Sequence, residues 1–182
     1  MGADRSPDAA VDDAFDALMA NADSAMIALT VAVGDERSGC LVGFHCQASI
    51  NPRQYAVWLS KANHTYDVAV QAETYAVHFL RGTDRDLAVL FGTATGDEVD
   101  KFDRVPWTAG PNGVPLLDAC PNRLVLRRHA LVDAGGDHVC LIGDVLEAVG
   151  ADDDRPGEPL RLSAVDDLEP GHDADEQRHR DD

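Results

Sequence analysis

Lys61, Asn63 and Thr65 bring a cation, an amide and a hydroxyl into one short polar bend, with Ser60 immediately before it. Donors of this kind beside a helix start are what an anionic ligand group would use, because the free amides of a first helical turn add to the side chains. The same residues would also serve as an exposed turn and a helix cap. Upstream, His45, Cys46, Gln47, Ala48 and Ser49 lead into a second polar bend that carries the turn signal Asn51-Pro52. Downstream, His138 follows Asp137 at the opening of a long apolar run. Its imidazole can orient a ligand or place a proton, or else make a structural hydrogen bond at a strand start. Asp100, Lys101 and Phe102 join charge to an aromatic ring, which suits a helix-to-core anchor or the border of a ligand site.

Other chemistries find less support. His45, His64, His78 and His138 fall on separate expected elements without the short spacing of a metal site, so no metal is expected. Neither the glycine spacing of a Rossmann dinucleotide site nor that of a phosphate-binding P-loop is present. Cys40, Cys46, Cys120 and Cys140 are widely spaced in mainly apolar segments and read as reduced packing residues; nothing near Cys46 marks a low-pKa nucleophile. Trp58 reads as a core residue.

The 182 residues can bury one substantial core. With 33 acidic against 15 basic residues the formal net charge is −18, which argues against a nucleic-acid surface because no broad basic stripe remains to neutralise phosphates. A small anion held by local donors is not excluded. Without a secretory segment or a membrane-length apolar run, a cytoplasmic location and no membrane contact are expected.

Positioning the bends falls to a mainly β chain. A helix capped at Ser6-Pro7 turns Val11, Phe15, Leu18 and Met19 to one side and Asp12, Asp13 and Asp16 to water, and reads as an N-terminal packing helix over residues 1–23. Strands are expected over 26–33, 40–45 and 55–59, and their short connections favour a meander or barrel. A short helix starts at Asn63, a strand covers 75–80, and a Thr83/Asp86 cap opens a helix that buries Leu87, Leu90 and Phe91. One short turn is expected over 97–102 around Val99 and Phe102, then a proline-glycine connection over 106–115 anchored by Trp107 and Val114. Late strands at 123–132 and 138–149 flank a glycine turn, and 159–162 reads as an edge strand. The main domain then spans 24–165, and the acidic stretch 166–182, with His172 and His179, reads as a solvated flexible tail.

Taken in order, Gly43 through Pro52, Ser60 through Thr65, Asp100-Lys101-Phe102, the Gly113-Val114-Pro115-Leu116-Leu117 run and Gly136-Asp137-His138 resemble the flavin-reductase-like, FMN-binding split-barrel proteins. The resemblance implies a six-stranded split β-barrel with Greek-key topology and short peripheral helices. It also implies a homodimer with FMN near the subunit interface, and reduction of flavin by NADH or NADPH with supply of reduced flavin to a flavin-dependent monooxygenase. Gly43, Phe44, His45, Cys46, Gln47, Ala48 and Ser49 match the segment along the flavin ring, although His45, Cys46, Gln47 and Ala48 depart from its usual small hydroxyl residues. Ser60, Lys61, Asn63 and Thr65 match the phosphate segment, Lys101 and Phe102 border the flavin, and His138 matches a late motif near the ring and the nicotinamide. A flavoenzyme with another organic acceptor, or a noncatalytic flavin carrier, would use the same pocket.

Overall fold

A computed structural model describes residues 7–94, 100–150, 157–169 and 171. The sequence IALTVAV has no polar face, and β1 (Ile27–Val33) is correspondingly buried on both sides. Ile27, Leu29 and Val31 enter one core with Val57, Leu59, Tyr75, Val77, Leu126 and Leu141. Met26, at the head of the strand, and Ala28 enter a second, with Leu80, Leu87, Phe91, Leu117 and Leu160. One strand therefore serves two packed layers.

Around it run β2 (Glu36–Val42), β3 (His45–Ser49), β4 (Gln54–Ser60), α2 (His64–Ala69), β5 (Thr74–Phe79) and α3 (Arg85–Thr93), preceded by α1 (Pro7–Ala22). The small strands β6 (Trp107–Ala109) and β7 (Pro115–Leu117) follow, then the long hairpin of β8 (Arg123–Asp133) and β9 (His138–Val149). The main sheet has the order β2-β1-β5-β8-β9-β4-β3, every neighbouring pair antiparallel. Its two edge strands are consecutive in the chain and separated only by Gly43 and Phe44. Such a short link brings the sheet's two edges together, and the Trp58 amide, donating to the Phe44 carbonyl at 2.9 Å, extends the β3–β4 ladder one residue into that link.

Several expectations change. The main sheet has seven strands rather than six, and the connection over 106–115 contains a further two-stranded sheet. Asn112 (φ 54°) and Gly113 (φ 77°) supply the left-handed turn that lets β6 and β7 pair. The second strand begins at Glu36 because the turn is made by Gly34 (φ 59°) and Asp35, and it ends at Val42. The reciprocal cap before α3 is Arg81 with Asp84, whose carboxylate accepts from the Arg81 amide and guanidinium at 2.9 Å, and not Thr83 with Asp86. Instead of an edge strand, 159–162 makes two single bridges, Arg81 to Pro159 and Ala25 to Arg161.

The N-terminal helix forms but does not pack as expected: Val11, Phe15 and Leu18 are 66, 59 and 64% exposed. The first core is already covered by Val68 and Ala69 of α2, and the second by α3. Leu168 packs against the second core, so ordered chain continues into the stretch read as tail. Asp97, Val99, His172 and His179 lie outside the described residues. Among the described residues no helix is long and apolar enough to cross a membrane.

Candidate functional site

The seam of the sheet opens on a cleft of about 350 Å³. Its polar walls come from Ser60, Asn63, Asp137 and His138, and its apolar walls include Val42, Phe44, Trp58 and Leu162. The β4–β9 register sets Ser60 directly opposite His138. The His138 imidazole lies 3.0 Å through Nδ1 from the Asp137 carboxylate and 5.2 Å, centroid to centroid, from the Phe44 ring. The bond from His138 holds the Asp137 carboxyl below the usual carboxylate range. With Nδ1–H donating to Asp137, the neutral ring leaves Nε2 as an acceptor for a ligand.

Asn63 caps α2 as expected: from an extended backbone (φ −83°, ψ 130°) its Oδ1 accepts the Thr65 amide at 3.0 Å. The donors expected at this helix start are thereby partly spent, since the Tyr66 amide also bonds the Asn63 carbonyl at 2.9 Å and α2 is only six residues long. What Asn63 still offers the cleft is its side-chain NH₂. The Ser60 hydroxyl accepts the Ala62 amide at 3.3 Å and keeps its own proton for donation.

Lys61 sits at the rim, its amide bonded to the Asp137 carbonyl at 2.9 Å, while its ammonium meets both carboxylate oxygens of Asp133 at 2.9 Å. That bond and the Gly135 amide hold the Asp133 carboxyl below its ordinary range. A ligand anion would compete with Asp133 for Lys61. Thr65 differs from expectation: it is buried, and its hydroxyl is engaged with Ser38 Oγ at 3.0 Å rather than turned to the cleft.

Lys101 and Phe102 lie behind the cleft. The Lys101 ammonium is buried and donates to the Gly39 carbonyl at 2.7 Å and the Phe91 carbonyl at 3.3 Å, tying β2 to α3, and burial lowers its pKa. It lines a second, polar cleft of about 320 Å³ with Arg37, Ser38 and His64. Arg37 and His64 there face Asp100 at 3.6 Å and Glu36 at 3.5 Å. Phe102 packs edge-on against Phe91 and Trp107 in the second core.

On β3, both ring nitrogens of His45 are committed. Nε2 donates to the Ala25 carbonyl at 2.8 Å, so Nδ1 accepts from the Tyr55 hydroxyl at 2.6 Å, and burial lowers the imidazole pKa. Cys46, Gln47 and Ala48 are exposed and Ser49 half-buried, with the register shift at Ala48 bending the strand. The Gln47 amide donates to the Ser49 carbonyl at 3.2 Å. None of these five side chains lines the cleft, which leaves their backbone as the means of contact.

Ser60, Asn63 and His138 are thus brought together from the sequence-predicted set. Phe44, from the expected ring segment, joins them, as do Trp58, Leu162, Val165 and Leu168, which were not singled out as site residues. Trp58 is half-buried in the wall rather than in the core. The regular spacing of Leu162, Val165 and Leu168 inside an acidic stretch was the available signal. The whole arrangement is an apolar slot with a hydroxyl, an amide and a carboxylate-held imidazole on its walls, suited to a planar ring bearing polar substituents.

The sequence pattern of the family described as "Flavin reductase like domain" matches residues 20–164. The stachydrine N-demethylase reductase subunit Stc3 of Rhizobium meliloti is 28% identical over 122 residues, covering 65% of this chain and 51% of that protein. The chain therefore spans about half the length of that relative. The FMN reductase (NADH) SmoA of Agrobacterium fabrum is 30% identical over 125 residues, covering 69% of this chain and 67% of that protein. Among solved structures, the NADH:FAD oxidoreductase SgcE6 of Streptomyces globisporus superposes with a TM-score of 0.66 at 26% identity, covering 76% of this chain and 83% of that one.

Proposed function

The chain belongs to the flavin reductase like domain family, and from that membership we propose that it is an NAD(P)H-dependent flavin reductase passing a hydride from nicotinamide to FMN. The observation that carries the proposal is the seam cleft, where an apolar slot meets Ser60, Asn63 and the His138–Asp137 pair. Those residues fit the cofactor. The Ser60 hydroxyl, the Asn63 amide and the rim ammonium of Lys61 hold the phosphate end, and the bent backbone over 45–49 reads the polar edge of the ring. Bound FMN would supply the ring that takes up the hydride. The protein's part is to fix the nicotinamide against that ring and to exclude water, with His138 held by Asp137 on the reducing side.

The named activities of SmoA and SgcE6 support this reading, and the reductase-subunit role of Stc3 supports supply of reduced flavin to a partner oxygenase. We read the protein as a cytoplasmic homodimer. The uncovered apolar side of α1 supports association, with a second copy supplying an apolar patch in exposed Leu131 and Val132 of β8.

Anaerobic mixing of the purified protein with FMN, FAD or riboflavin and then NADH or NADPH tests the proposal. Bleaching of the flavin absorbance at a protein-dependent rate is expected. Tight FMN binding without turnover would make the protein a carrier, and no binding would remove the reading.

A further inference from the structure

We propose that residues 162–168 form a fastened strap whose apolar side chains, Leu162, Val165 and Leu168, make the wall that receives the flavin ring and sets its affinity. This rests on the flavin reading of the cleft.

Between Arg161 and Glu169 the other side chains are polar, alanine excepted, while Leu162, Val165 and Leu168 recur at every third position. Tight turns give that spacing a common direction. The Val165 amide bonds the Leu162 carbonyl at 3.0 Å, and the Leu168 amide bonds the Val165 carbonyl at 3.1 Å. All three side chains line the cleft, yet they are covered unequally: Val165 is buried, whereas Leu162 is 37% exposed. Leu162 thus leaves apolar surface open beside Phe44 and Trp58, which a planar aromatic ring would cover and a phosphate or ribityl chain would not. Val165 and Leu168 lie past the end of the family match at residue 164.

The strap is tied at two places outside the cleft. Asp23, in the left-handed region at φ 44°, accepts the Ser163 amide at 2.8 Å and the Ser163 hydroxyl at 2.9 Å. At the other end, the Arg85 guanidinium donates to both Asp167 oxygens at 2.6 and 2.7 Å and to the Ala164 carbonyl at 3.2 Å. Both carboxylate contacts come from Nη2 while Nε reaches the Ala164 carbonyl, so one guanidinium holds the strap by side chain and backbone together. Arg85 and Asp167 are therefore positioning residues, acting on the ligand only through the strap.

The test is a fluorescence titration of FMN, riboflavin and lumiflavin, which share the ring and differ in the chain it carries. Leu162→Gln should raise all three dissociation constants about tenfold, the scale of one buried apolar side chain's contact. Asp167→Ala should raise all three roughly threefold, and the charge-swapped pair Arg85→Asp with Asp167→Arg should restore them, a rescue that a general loss of stability would not produce. Unchanged constants in both single variants, while the wild type binds FMN, would overturn the strap; so would a loss confined to FMN, which would assign the segment to the phosphate. If the wild type binds none of the three, the flavin reading itself fails, and the strap's proposed role with it.

Discussion

His138 lines the cleft and Lys61 adjoins its Ser60 wall, and a ligand would distinguish them by which part it brings to each. In the proposed site Lys61 would serve the phosphate, so Lys61→Ala should weaken FMN about tenfold more than riboflavin, the size of one charge-assisted hydrogen bond. Equal losses in paired titrations would remove Lys61 from the phosphate site and leave it as the partner of Asp133. His138 bears on the reducing side, so His138→Ala should slow nicotinamide-dependent flavin reduction roughly tenfold with a smaller change in FMN affinity. Stopped-flow traces that superpose on the wild type would make it a structural bond to Asp137. The structure puts His138 in the cleft wall and Lys61 next to Ser60, at the two turns the sequence marks. Thr65 was read with them, but a hydroxyl one position into a helix can turn inward as easily as outward, and here Ser38 claims it.

Among the elements, β1, β5 and the start of β7 are joined by one buried histidine. His78 Nε2 donates to Thr30 Oγ1 at 3.2 Å, and Thr30 passes its own proton to the Pro115 carbonyl at 2.6 Å. Burial pushes the His78 pKa from its ordinary 6.5 to about 4, with Arg123 adding to the fall and the Pro115 and Cys120 carbonyls opposing it. The unfolded chain therefore takes up this proton before the folded one does, so the contribution is intact above pH 6.5 and is lost as pH falls toward 4. By pH 5 the loss should reach about 2 kcal/mol. Urea unfolding across that range should show the slope, and His78→Gln should flatten it; an identical slope in the variant would refute the assignment. The sequence announced such elements unevenly. The Gly135-Gly136 turn exposed β8 and β9 plainly, and the Asn63 cap marked α2. The β6–β7 pair was hidden because its strands are three residues each and its proline and glycine spacing is that of a loop. The strap over 162–168 was hidden by its charge, since acidic neighbours mask three apolar residues whose partners lie far away in the chain.

At the scale of the whole molecule, the helix that the periodicity promised lacks the surface to receive it. A helix with Phe15 and Leu18 in water is costly for one chain alone, and a second chain is the covering we propose. Phe15→Glu should shift sedimentation velocity from dimer toward monomer; an unchanged sedimentation coefficient would place the interface elsewhere. The net charge of −18 opposes such an apolar pairing at low salt, so association should strengthen as salt rises through the physiological range. The two-residue link between β2 and β3 has a wider meaning. Gly43 and Phe44 belong at once to the stitch that joins the sheet's margins and to the chamber beside it. A guest lodged there would touch both margins at once, so whatever loosens that corner should also speed the guest's release.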